Sequence, residues 1–156
     1  MAHVEKSIEV NKPVDEVYNQ WTQFETFPEF MENVEQVRQL DDKHLEWKAK
    51  IAGSERQWKA EIVEQQPNQV IAWRSTTGDK NDGAVRFQPI DGKTKVTLSL
   101  DYQPPAGAVG TAADKVAQVT PGNVDQDLKN FKKFIESQPT ATGAWRGKIE
   151  GGQVKQ

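Results

Sequence analysis

The sequence specifies an α+β architecture: a curved seven-stranded antiparallel sheet wrapped around a long C-terminal helix, with two short helices between the first strand and the other six. Three features point there. Residues 34–102 are a succession of segments, each of roughly ten residues, that alternate apolar and polar positions and end at turn signals. One later segment carries apolar residues at helical spacing over several turns. Hydrophobic residues make up only 35% of the chain, yet they include five tryptophans and six phenylalanines. Scarce, bulky apolar material suits a sheet that is wet on one face and covered on the other.

The first strand spans residues 2–10, with Val4, Ile8 and Val10 on one parity and Lys6 interrupting it. Asn11-Lys12-Pro13 stops it. Pro13 suits a helix start, and Asp15 and Glu16 complement its positive end. Val14, Val17, Tyr18, Trp21 and Phe24 then line one helical face. Pro28 opposes a straight continuation, so a second short helix is predicted over about residues 28–32.

Turn signals follow at Asp41-Asp42, Ala52-Gly53-Ser54, Pro67-Asn68, residues 78–83 and Asp91-Gly92. Between them, one parity collects Leu45, Trp47, Ala49 and Ile51, then Trp58, Ala60 and Ile62, then Ile71, Trp73 and Ser75. Val85 and Phe87 follow, and the last strand sets Val96, Leu98, Leu100 and Tyr102 against Thr97, Ser99 and Asp101. Residues 106–110 read as a connector and 111–119 as weakly helical. Thr120-Pro121 then opens the long helix, with Val124, Leu128, Phe131 and Ile135 on one face and Phe134 nearby. Gln138-Pro139 ends it. Residues 1–138 thus form a single domain, and 139–156 a Gly-rich, loosely ordered tail in which only Trp145 and Ile149 are large and apolar.

Composition excludes several chemistries. At 156 residues one domain is the default, and it needs no covalent staple. Zero cysteine excludes disulfides, thiolate metal sites and a cysteine nucleophile. A net charge of -3 offers nothing to a nucleic acid. No apolar run spans a bilayer, and the N-terminal residues lack a signal-peptide core, so a cytoplasmic protein, monomeric or weakly dimeric, is expected. His3 and His44 fall at the chain start and beside a turn, where they assemble no acid–base set. Gly107-Ala108-Val109-Gly110 follows no strand, and no metal-binding motif occurs. No catalytic residue, metal or cofactor is therefore assigned.

One helix, about 10–12 Å wide, cannot fill the groove of a seven-stranded sheet. Bulky side chains fill the remainder, or it stays open as a pocket for an apolar ligand. The walls would come from Trp21 of the first helix and Phe27, Phe30 and Met31 after it. The sheet would add Trp47, Ile51, Trp58, Ile62, Trp73, Phe87 and Leu98, and the long helix Val124, Leu128 and Phe131. Arg56, Ser75 and Tyr102 sit near strand ends at inward parity and would meet polar groups of a ligand, with Lys6 at the rim. Arg74 faces outward and pairs across strands. Ligand access is expected between residues 27–31, residues 78–83 and the start of the long helix.

The run from Ile8 to Val37, with its strand-to-helix step at Pro13 and Phe27-Pro28-Glu29-Phe30, resembles the opening of polyketide cyclase/dehydrase-type proteins. These belong to the START/Bet v 1-like superfamily, in the branch with coenzyme-Q-binding START proteins. Ile71-Ala72-Trp73-Arg74-Ser75 and the helix end from Asp127 to Glu136 are similar too, as is the tail motif Thr142-Gly143-Ala144-Trp145-Arg146-Gly147. The resemblance covers roughly residues 3–137 plus that motif. It implies a helix-grip fold with a hydrophobic cavity between helix and sheet, and ligands such as polyketides, quinones, lipids or hormones.

The expected function is binding or transport of a small hydrophobic or aromatic ligand. A cyclase or dehydratase is the alternative the family name suggests, against the lack of an inward acid–base pair. A protein-interaction module is the third, with exposed Trp145 beside Arg146 as its anchor.

Overall fold

The computed structural model describes residues 2–31, 34–51, 54–78, 81–102, 121–139 and 141–155. The expected connector at 106–110, the weakly helical 111–119 and the Thr120 cap lie outside the described residues, as do the side chains of Ile51, Arg56 and Tyr102. The alternating segments become strands: β1 (Ala2–Val10), then, after α1 (Val14–Trp21) and a 3-10 helix (Phe24–Glu29), β2 (Val34–Gln39), β3 (His44–Ile51), β4 (Ser54–Gln66), β5 (Val70–Gly78), β6 (Asn81–Ile90) and β7 (Lys93–Tyr102). The chain continues into α2 (Pro121–Glu136), β8 (Lys148–Glu150) and β9 (Gln153–Lys155). Sequential hairpins give the spatial order β1-β7-β6-β5-β4-β3-β2, all antiparallel.

The inward parity holds. Leu45, Ala49, Trp58, Ala60, Ile62, Ile71, Val85, Phe87, Val96 and Leu98 are buried. On α2, Val124, Leu128, Phe131 and Ile135 are buried against them, which is the helix-grip arrangement. Polar ties fix the helix end to the sheet end. The Asn11 backbone N–H donates to Glu136 Oε2 at 2.8 Å, Lys132 Nζ to the Glu9 carbonyl at 3.1 Å, and Lys12 Nζ to the Gln138 carbonyl at 2.8 Å.

Three expectations are corrected. The second short helix lies at Phe24–Glu29, not at 28–32, and Pro28 is inside it. Burial of Phe24 and Phe27 sets this turn, and Pro28 deprives it of one N–H donor. Among the described residues the sheet has nine strands, not seven. The extra two come from the tail, which is not loosely ordered. β4 has 13 residues and β3 only 8, so the far end of β4 extends past its neighbour. There β8 pairs through Gln65 with Ile149, the Gly152 N–H donates to the Val63 carbonyl at 3.0 Å, and Ile149 is fully buried. Gly151 and Gly152, at φ +58° and +78°, are the two central residues of the β8–β9 hairpin, a turn that demands positive φ at both.

Burial alone would raise the Glu136 carboxyl, but the Asn11 N–H and the ammonium groups of Lys132 and Lys12 outweigh it and hold it below the usual range. A carboxyl lowered on folding contributes stability above its unfolded value and loses it as pH falls through the lowered one. Glu136→Gln is therefore expected to reduce the neutral-pH melting temperature and to flatten the loss of stability on acidification. Thermal melts across the acid range check this, and an unchanged pH slope would refute it.

Candidate functional site

α1 and the 3-10 helix form a corner against the concave face of the sheet, and their rings meet those of β6 and α2 inside it. Trp21 is the hub. Its ring lies 4.7 Å from Phe131, 5.5 Å from Phe27, 6.2 Å from Phe30 and 6.4 Å from Phe87, all tilted or edge-on. Phe30 continues to Phe131 and Phe134, Phe27 to Phe24, and Phe87 to Tyr18. From Phe27 the rings run on to Trp47 at 5.6 Å. Trp47 then stacks on its cross-strand partner Trp58, with ring planes 7° apart and centroids 5.7 Å apart.

The structure thus brings most of the expected wall together. Trp21, Phe27, Phe30, Ile62, Phe87, Leu98, Val124, Leu128 and Phe131 share one buried cluster, with Met31, Trp47 and Trp73 half-buried against it. Trp58 is buried beside Ala49 and reaches that cluster through Trp47. Ser75 is half-buried and its backbone N–H donates to Asp82 Oδ1 at 3.0 Å. Lys6 is half-buried opposite Leu98, and Arg74 pairs with Glu61 at 3.3 Å on the exposed face. Where Phe27 and Phe30 were expected to border an easily opened gap, they are 2% and 3% exposed and belong to the core. Helical spacing could not reveal this, because it does not say which rings a turn will meet.

One group in this site is electrostatically unsatisfied. The Trp47 indole Nε1 is buried and has no hydrogen-bond acceptor among the described residues. A buried donor left unpaired costs about 1–3 kcal/mol. The other such atom is Gln65 Oε1, whose amide nitrogen donates to the Tyr18 hydroxyl at 3.0 Å. Burial pushes the Tyr18 hydroxyl pKa up, and the Gln65 bond and the Arg146 charge partly offset it.

The histidines stay at the surface. His3 Nδ1 lies 2.7 Å from Asp101, and His44 Nδ1 lies 2.8 Å from Asp41, both with exposed side chains. Backbone N–H bonding from Lys43, with the His44 ring and N–H, holds the Asp41 carboxyl below the usual range. Among the described residues, no group of three or more His, Cys, Asp or Glu could hold a metal, and no helix is long and apolar enough to cross a membrane.

Gly83 was missed. Read as part of a turn, it lies inside β6, opposite Trp73. A Cβ there would stand 2.5 Å from the Ser99 carbonyl and 2.9 Å from Trp73 Cζ2. A glycine within an alternating segment signals such a close approach.

Residues 10–129 match the family model described as polyketide cyclase / dehydrase and lipid transport. The chain belongs to that family. An uncharacterized 17.2 kDa protein from the melC2-rnhH intergenic region of Streptomyces lincolnensis is 42% identical over 153 residues, 96% of this chain and 99% of that one. The Zhui aromatase/cyclase from Streptomyces sp. R1128 superposes with a TM-score of 0.74 at 21% identity, over 92% of this chain and 99% of the other. A START superfamily protein from Mycobacterium smegmatis does so with a TM-score of 0.72 at 18% identity, over 86% and 97%. At those identities the two structures speak for the fold alone: the chain has a START/Bet v 1-like, helix-grip fold.

Two substitutions probe the packing. Phe131→Ala removes the ring nearest Trp21 and is expected to cost about 3–5 kcal/mol. Gly83→Ala is expected to cost about 1–3 kcal/mol, because the Ser99 carbonyl is backbone and cannot swing away. Urea unfolding measures both; a loss below about 0.5 kcal/mol in either would contradict the packing described.

Proposed function

We propose that the protein binds a small, largely aromatic molecule against the Trp47–Trp58 end of the ring cluster, as a binding or carrier protein rather than a catalyst. The buried, unpaired Trp47 N–H carries this reading. Neutral buried donors are almost always paired, and those that are not call for an explanation. A ligand carbonyl or ether oxygen accepting from Nε1 would remove the penalty, while the stacked indoles and Phe27 offer flat apolar surface for a ring system. Membership of a cyclase and lipid-transport family supports a ligand of this kind. The other expected contacts, Met31, Ile62, Trp73, Ser75 and Leu98 among them, would complete the walls, with Arg56 and Tyr102 reaching polar ligand groups.

Native mass spectrometry of the protein purified from its own cells should retain an apolar compound. With synthetic probes, anthraquinone should bind more tightly than anthracene, which has the same shape and no acceptor. Trp47→Phe should weaken anthraquinone roughly tenfold, the equivalent of about 1.4 kcal/mol, and leave anthracene nearly unchanged. Equal losses for both probes would remove the donor from the reading. Failure of either to bind, together with a ligand-free mass spectrum, would remove the reading itself.

A further inference from the structure

The tail motif of residues 142–147 is outside the sheet; Trp145 packs half-buried against the core cluster, and the polar contacts of the segment go mostly to one element. The Ala141 N–H donates to Glu16 Oε2 at 2.7 Å. Thr142 and Gln20 form a two-way pair: the Thr142 N–H donates to Gln20 Oε1 at 2.9 Å, and Gln20 Nε2 to Thr142 Oγ1 at 3.0 Å. The Trp145 N–H donates to Thr22 Oγ1 at 3.1 Å. Arg146 donates to Asn19 Oδ1 at 2.6 Å and lies over the Tyr18 ring, 5.3 Å from its centroid. Apart from Asn68 in the β4–β5 turn, which accepts from Arg146 at 2.9 Å, the partners are on α1 or the residue that ends it. Two glycines permit the fit. A Cβ on Gly143 would stand 2.5 Å from the Gln23 side chain, and one on Gly147 would stand 2.6 Å from the Trp145 indole.

α1 and the 3-10 helix carry Trp21, Phe27 and Phe24 into the aromatic site on their inner side. The tail holds the same corner from outside. Its segment 141–147 is strung between two anchors: the Gln138 carbonyl bound by Lys12 before it, and the β8–β9 hairpin after it, where Ile149 is buried and Lys43 Nζ donates to the Gly152 carbonyl at 2.7 Å. A segment fixed at both ends can lift and return without leaving the fold. Its fastenings are separate hydrogen bonds, the Arg146–Tyr18 contact and the half-buried Trp145 indole, from residues that are themselves half-exposed or exposed, whereas the corner's inner side is closed by fully buried rings, so the segment is the part that releases at lowest free energy. This also uses Trp145 and Arg146 within their own domain, which takes away the feature that suggested a protein partner.

We propose that residues 141–147 are a strap holding the α1–3-10 corner shut, and that release of this strap is the step that opens the aromatic site. The second half rests on the ligand-binding reading above. The test uses the full chain, with Gly147→Ala, which forces the Trp145 indole out of its seat, and the milder Arg146→Ala in case the first fails to fold. Amide hydrogen exchange is followed in peptides covering residues 14–31 and, as an internal reference, in β6–β7. The dissociation rate of 1-anilinonaphthalene-8-sulfonate is measured alongside. Exchange at 14–31 should accelerate about tenfold with β6–β7 unchanged, and dye release should quicken by a similar factor. Unchanged exchange at 14–31, equal acceleration in β6–β7, or faster exchange without faster dye release would each overturn the strap. If the dye fails to bind the unsubstituted chain, the site-opening half of the proposal falls, and the exchange comparison alone upholds or overturns the hold on the corner.

Discussion

Trp21 is where the cover of the sheet is joined together. A sheet apolar on one face must bury that face, and among the described residues the one long helix set against it has 16 residues. Such a helix covers a stripe, not the whole concave surface. Trp21 bridges the deficit, because its ring touches α2 through Phe131, β6 through Phe87, and the 3-10 helix and the residue that ends it through Phe27 and Phe30. Helix, corner and sheet are thereby closed by one set of tilted and edge-on ring contacts, each adding to the area it buries. A chain with so little apolar material places it where one side chain serves three elements.

The polar groups trapped by this closure separate into two kinds. Thr94 is buried and donates to the Lys12 carbonyl at 2.9 Å, Thr22 donates to the Asn19 carbonyl at 2.6 Å, and Gln20 is paired with Thr142. These bonds serve the fold, and removing one partner would leave the other stranded. The Trp47 N–H is of the second kind. It stands near the end of the ring network on a strand already paired on both sides, and nothing among the described residues explains its position. The chain belongs to the polyketide cyclase / dehydrase and lipid transport family, and that membership names no molecule for this group.

Side-chain periodicity made the strands, the inward parity of Trp47, Trp58 and Trp73, and the buried stripe of α2 legible, because a two-residue or 3.6-residue repeat is a local property of the chain. The helix-grip arrangement followed from element order and resemblance. The displaced 3-10 helix did not follow, since Pro28 was read as a barrier when the burial of Phe24 and Phe27 decides where the turn lies. The ordered tail was missed for a related reason. Four glycines and little hydrophobicity look like disorder, yet Gly151-Gly152 is a hairpin turn signal and Ile149 its buried anchor.

The sequence alone determined the architecture and which side chains face inward, because patterning along one strand or helix needs no knowledge of its neighbours. Only the tertiary structure decided which of those side chains meet, that Trp47 is left with an unpaired donor, and that the tail returns to α1 across more than a hundred residues of chain. Those outcomes depend on contacts between elements far apart in sequence, where a shift of a few ångströms makes or removes a hydrogen bond. No local pattern encodes such a distance.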